Sequence, residues 1–415
     1  MAGGEVETVA YLRERFREYY EEHAEEIEAP PGFEEREFGF LPFEGKTMFR
    51  HIAFTSPEEM REYLKTNAPA HAYYSSAYYR APEAEMEKKG WLGADLVFDI
   101  DADHIETPCK EEHDRWTCRN CGTSGRGTAP EACPNCGKAN FQEETWLCER
   151  CLEAAKFETL KLLDILVQDL GFSPKRDLEV NFSGHRGYHV HVYHEDARHL
   201  DQLARRELVD YILGVGIEAR FHGLTPGFQE EGAALAGIGW GGRLARALYG
   251  FLLDVDPEDL QGLGLSEGFV KRLLGRREEL LECLTKEPLA RMIKFFGPRD
   301  RRALDRLVEA AVRREAAAID TVVTTDIHRL IRLPGTLHGK TGLRAVRVPV
   351  DELEGFDPLR SAVAFDEGEV EVHVVRSPEF RVGEETYGPF REEEVELPSA
   401  AAILLLCKGV ARVVG

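Results

Sequence analysis

The stretch LVFDIDADH, residues 96–104, puts two carboxylates one residue apart at the end of an apolar strand. Strand side chains alternate faces, so Leu96, Phe98 and Ile100 share one side while Val97, Asp99 and Asp101 share the other. Two like charges at that repeat repel, and a half-buried strand tolerates them when a divalent cation sits between them. An Asp-rich strand end also occurs as a solvated turn, so other segments have to decide between the two readings.

Upstream, residues 1–29 read as an amphipathic helix closed by APPG, REFGFLPF and MFRHIAF as paired strands, and SPEEMREYLKTNAP as a short helix with a serine cap. Downstream, LEAAKFETLKLLDILVQDLGF has helical periodicity and stops at Gly171, and LEVNFSGHRGYHVHVYH reads as two strands about a tight turn. Residues 198–318 are mostly helical in pattern, and DTVVTTDIHRLIRLPGTLHGKTGL returns to strand and loop. The strands on either side of the helical block are expected to join in one sheet, with the block as an inserted lobe.

With 415 residues, 43% of them hydrophobic, the chain can bury a full core, and a prior of roughly 150 residues per domain gives two or three lobes. No apolar run reaches membrane-spanning length, and the opening MAGGEVETVAYLRERF lacks the pattern of a signal peptide, so a cytoplasmic location is expected. The net charge of −23 argues against strong unaided binding to DNA, because phosphate contacts need Lys and Arg. Residues 327–347 nevertheless hold Arg329, Arg332, Lys340, Arg344 and Arg347 with no acid among them. A local basic site survives in an acidic body.

Seven of the nine cysteines lie between residues 109 and 151, a density that fits metal ligation in a reducing compartment better than a disulfide frame. Cys118 and Cys121, then Cys133 and Cys136, form CxxC pairs each followed by glycine, the knuckles of a zinc ribbon. Cys109 with His113, and Cys148 with Cys151, supply another four ligands outside them. Eight ligands make two tetrahedral sites, and a nested arrangement is favoured over an interleaved one. Such full ligation leaves no open water position, so the metals are read as structural. A redox role for the CxxC pairs lacks a thioredoxin-like context.

SGHRGYH sets Ser183, Arg186 and His189 around Gly184 and Gly187, where glycines allow close backbone approach to an anion and Arg offers a planar donor fork. RLIRLPGTLHGKTG adds Arg332, His338 and Lys340. Its GKT is like the end of a phosphate-binding loop, but Pro334 occupies the position where that loop needs glycine. AIDTVVTTD supplies Asp320 or Asp326 as a third carboxylate. Three carboxylates for cations and two basic clusters for a polyphosphate form a kit for two-metal nucleotidyl transfer.

The order VFDIDADH, a cysteine/histidine motif, FSGHRGYHVHV and DTVVTTDIHRLIRLPGTLHGKTGL resembles the small catalytic subunit of archaeal and eukaryotic DNA primase over most of residues 30–350. The resemblance implies an α+β fold: a mixed α/β catalytic core with an inserted helical subdomain and a zinc-binding motif. It makes Asp99, Asp101 and Asp320 the ligands of Mg²⁺ or Mn²⁺, assigns Ser183, Arg186, His189, Arg332 and His338 to the nucleoside triphosphate, and adds Arg50 as a further active-site arginine. His185 stands where eukaryotic members tend to carry a second Arg, and the inner Cys118–Cys136 ribbon exceeds the family's usual single zinc motif.

The domain layout that follows is a catalytic core in residues 1–108, 152–197 and 319–415, the last including a C-terminal region, interrupted by a zinc-binding insert at 109–151 and a helical subdomain at 198–318. The expected function is synthesis of RNA primers on single-stranded DNA, with the primase large subunit as heterodimer partner and no membrane association. Two alternatives stand beside it: a primase-polymerase that extends with deoxynucleotides in repair or lesion bypass, and a non-enzymatic zinc-ribbon nucleic-acid adaptor.

Overall fold

The structure is a computed structural model that describes residues 2–45, 47–222, 234–254 and 257–414. It divides into two compact units, Met1–Thr159 with Pro174–Arg205 and Ile319–Gly415, and Leu160–Ser173 with Arg206–Ala318. Among the described residues no helix is long and apolar enough to cross a membrane.

The first unit holds two four-stranded sheets. One runs in the order Val346–Val348, Leu178–Phe182, Gly187–Val192, Leu96–Asp101, antiparallel throughout. Leu96, Phe98 and Ile100 are wholly buried, as the alternation demands, while Asp99 and Asp101 are only partly covered. The other sheet runs Leu330–Arg332, His71–Ser75, Phe38–Leu41, Phe49–Ile52, again antiparallel. Strands before and after the helical block therefore join in two sheets where the sequence reading expected one. Pro334 and Gly335 (φ +82) account for the difference: they break the returning segment, so its halves pair with different neighbours.

DTVVT is a second correction. Its β-branched residues read as a strand, yet Thr321–Thr325 is a one-turn helix, because Asp320 caps it by accepting from the backbone N–H of Val322 at 2.8 Å and of Val323 at 3.4 Å. Other elements form where their sequence signals lie. Ser56 caps Pro57–Asn67, and helix Glu149–Asp164 continues through a π-helical turn, Ile165–Asp169, before Gly171 (φ +76).

Two three-stranded sheets and two two-stranded ones, Ala77–Tyr79 with Trp91–Ala94 and Phe380–Val382 with Glu385–Tyr387, are also described in this unit. Ser124–Arg126, Arg115–Cys118 and Phe141–Glu144 form a three-stranded ribbon sheet. Near the C-terminus, Glu369–Ser377 pairs with Phe390–Pro398 and Ala411–Val413, and the apolar helix Ser399–Cys407 lies between the last two strands in sequence. The second unit is helical, with Gly239–Asp254, Glu267–Gly275, Arg277–Lys286 and Arg301–Glu315 around Trp240, Leu244, Phe269, Leu284 and Val308. It takes in Leu160–Ser173 as well as Arg206–Ala318, since buried Arg243 pairs with Asp164 at 2.9 Å and Asp169 at 2.5 Å.

Candidate active site

Asp99 and Asp101 leave one face at the end of their strand, opposite His189 and Gly187 respectively. A Cβ at Gly187 would collide with the Ile100 carbonyl oxygen, so only glycine lets the two strands close there. Asp101 accepts from the backbone N–H of Asp103 at 2.8 Å and starts the turn Ala102–His104. Asp320 arrives from a distant part of the chain, and its backbone N–H donates to the Asp99 carbonyl at 2.8 Å. Asp326, the other candidate, lies at the far end of the short helix and accepts from the His328 N–H.

Burial lifts the Asp99 carboxyl to about 7, and the charges of Asp101 and Asp320 add to the rise while Arg329 opposes it. Burial, then Asp103, raises Asp101. Side-chain exposures of 22% for Asp99 and 24% for Asp320 leave these oxygens reachable from solvent. This crowding of carboxylates is the donor set of a hard divalent cation, which takes oxygen ligands and offsets their repulsion. The three converge more loosely than a closed cluster: among the described residues only the cysteine-rich groups below bring three or more ligating atoms within 4.8 Å of one another.

A wall of basic groups stands beside the aspartates. Arg332 donates to His71 Nδ1 at 2.9 Å and to the Tyr73 hydroxyl at 3.2 Å, its guanidinium 4.5 Å above the Tyr73 ring. The His71 ring meets His338 edge-on at 4.7 Å, and His338 stacks on His185 at 4.9 Å. Thr341 ties the two glycine loops together by donating to the Gly184 carbonyl at 2.5 Å. Gly184 sits at φ +78, and a Cβ there would come within 2.9 Å of His338 Cβ. Burial, followed by the nearby cations, pushes all of these imidazoles down, His71 to about 2 and His189 to about 3. His189 Nε2 lies 3.7 Å from Asp99, as a neutral ring. Ser183 sits in the same turn, its hydroxyl accepting from the His185 N–H at 3.3 Å.

Two residues expected to contact substrate, Arg186 and Arg50, pair with protein carboxylates. Arg186 is 0% exposed: Nη1 donates to Asp114 at 3.0 Å and to the Trp146 carbonyl at 2.9 Å, while Nη2 stands 2.6 Å from an Asp103 carboxylate oxygen as an ion pair without hydrogen-bond geometry and Nε is unbonded. These pairings tie the strand end to the cysteine insert and leave two guanidinium nitrogens without a hydrogen bond. Arg50 is held by buried Glu37 at 3.0 Å, on the edge strand opposite Arg332. Three strand spacings, roughly 14 Å, separate those edges. The site also includes His71, Asp103, Asp114 and Lys408, which sequence reasoning missed. Asp103 continues the period-two series of Asp99 and Asp101, whereas His71, Asp114 and Lys408 are single polar residues whose meaning appears only when distant segments meet.

The cysteine insert forms two separate groups, Cys118, Cys121, Cys133, Cys136 and Cys109, His113, Cys148, Cys151, in the nested order. Sulfur separations are 3.5 Å for Cys109–Cys151 and 3.6 Å for Cys118–Cys136 and Cys121–Cys133, with Cys151 Sγ 3.7 Å from His113 Nε2. Roughly 2.3 Å metal–sulfur bonds in a tetrahedron require edges of about 3.8 Å, so the donors stand where such a metal needs them. Gly122 and Gly137, at φ +74 and +68, turn the knuckles of the inner group. His113 Nδ1 lies 2.7 Å from Asp114, the carboxylate that orients a ligating imidazole.

Converging carboxylates are ligands of the type divalent cations take, Arg332 and Lys340 are groups of the type phosphates pair with, and the insert holds two groups that could each bind a metal. The sequence profile of the DNA primase small subunit matches residues 132–351. The DNA primase small subunit PriS of Methanothrix thermoacetophila is 36% identical over 99% of this chain and 100% of its own length, and that of Methanospirillum hungatei is 36% identical over 98% and 97%. The counterpart from Archaeoglobus fulgidus is 35% identical over 97% of this chain and 98% of its own. The chain belongs to the DNA primase small-subunit family, with that family's catalytic role in DNA replication.

Proposed function

We propose that the chain synthesises RNA primers on single-stranded DNA by divalent-cation-assisted nucleotidyl transfer at Asp99, Asp101 and Asp320. The observation that carries this reading is the convergence of Asp320 on the Asp99 strand, through the 2.8 Å backbone hydrogen bond, because it gathers three carboxylates and the charges of Asp101 and Asp320 add to the rise of Asp99. Mg²⁺ or Mn²⁺ at these oxygens would activate the attacking 3′-hydroxyl and neutralise the leaving pyrophosphate. Arg332 and Lys340 offer positive charge to the triphosphate, and Ser183, His189 and His338 offer hydrogen bonds to it. Neutral imidazoles suit that task, since they donate an N–H without adding to the repulsion among the cations. Arg186 acts as a positioning residue through Asp103.

In the insert we assign zinc to both groups, as structural metals. The partner is a primase large subunit, and the template a single DNA strand.

The test is primer synthesis on single-stranded DNA with ribonucleotide or deoxyribonucleotide sets, in Mg²⁺ or Mn²⁺. Asp99→Asn and Asp101→Asn keep shape and lose charge, so each is expected to reduce synthesis by more than a hundredfold with unchanged circular dichroism. Activity within tenfold of wild type in both would refute the metal role, and a clear preference for deoxynucleotides would favour a primase-polymerase.

A further inference from the structure

Helix Ser399–Cys407 is apolar from Ala401 to Leu406 and buried over that span, and it ends by delivering Lys408 to the basic wall. The Lys408 ammonium donates to the Thr145 carbonyl at 3.1 Å and faces His185 Nε2 at 3.2 Å. An ammonium has three donors, so one remains. The carboxylates that favour its charge, Asp103 and Asp114, are already paired with Arg186. Burial, with Arg186 and Lys340, pushes the ammonium down to about 7. A cation held among cations costs free energy and contributes nothing to packing that an apolar side chain would not.

What gives the position sense is the line it completes. Lys408 meets His185, His185 stacks on His338, His338 meets His71, and His71 accepts from Arg332. The row has a cation at each end and neutral rings between, the charge pattern that complements an extended polyanion. Building on the reading of this site as a nucleotidyl-transfer centre, we propose that Lys408 is a phosphate-binding residue of the nucleotide site, supplied by the C-terminal helix and contacting the polyphosphate of a nucleoside triphosphate.

The experiment uses the full chain with Lys408→Met, of similar length and uncharged, and titrates ATP, AMP and single-stranded DNA separately in Mg²⁺. Lys408→Gln, which can still donate to Thr145, serves if the methionine variant fails to fold, as judged by retained metal content and melting temperature. ATP affinity is expected to fall about tenfold while AMP and DNA affinities stay within twofold, since only the triphosphate reaches the end of the row. ATP binding within twofold of wild type, or an equal loss for AMP, would overturn the proposal. Asp99→Asn runs in parallel: if it still synthesises, the nucleotidyl-transfer reading itself fails. A dead Asp99→Asn beside a Lys408→Met that binds ATP normally sinks the Lys408 assignment alone.

Discussion

Lys408 leaves a second signature, in stability. Its ordinary value is 10.5 and the fold holds it near 7, so between those values the unfolded chain binds the proton and the native chain does not. Wild-type stability therefore rises with pH across that window, and the cost of burying the cation is fully present at pH 7 and below. Lys408→Met removes it. The variant should melt higher than wild type at pH 6, with a gain of at most about 1.4 kcal/mol for every tenfold loss of proton affinity on folding, and the gain should shrink toward pH 10. A constant difference across that range would show that the lysine is not buried as a cation.

The same residue marks the limit of what the sequence discloses. That Asp99 and Asp101 share one face of their strand is legible because a period of two in an apolar run fixes which side chains point the same way. Lys408 and His71 carry no such pattern, and only the packing of the C-terminal helix and the Arg332 strand turns them into neighbours of a site. Arg186 shows the same limit from the other side: the SGHRGYH turn advertises a phosphate fork, but nothing in it announces the ion pairs with Asp103 and Asp114.

At the scale of elements, the nested cysteine groups form because each CxxC knuckle closes locally and the ribbon strands between them bring the knuckles together. Purified protein should contain two zinc ions per chain, and Cys118→Ser with Cys133→Ser should leave one. A wild-type value of one would end the eight-ligand scheme. These groups were readable from spacing alone, since the chemistry of zinc fixes both ligand type and knuckle length. The division of the core into two sheets was not, because strand partners across more than a hundred residues depend on where Pro334 and Gly335 bend the chain. Nor was the Asp320 helix, where a single side-chain cap outweighs a β-branched run.

Taken as a whole, the molecule carries −23 while its Arg332–Lys408 row faces the nucleotide, so a template strand finds little charge to follow. The isolated chain should bind single-stranded DNA weakly and with steep salt dependence, and a large subunit should strengthen both template binding and initiation. Equal affinity and initiation by chain and pair at matched ionic strength would make this a self-sufficient polymerase. Arg186 holds Asp103 beside the catalytic strand end and Asp114 beside His113 of the outer cysteine group, so a single guanidinium spans the distance from metal ligand to active centre. Were a metal lost from the outer group, His113 and Asp114 would be released, and Arg186 would lose one of its two carboxylate partners. Mild zinc chelation in excess Mg²⁺ should silence synthesis before the melting curve moves, and activity that falls only as the melting curve shifts would break the link. A subunit made where zinc is scarce would then leave the ribosome folded but inert, unable to start a strand until it is loaded.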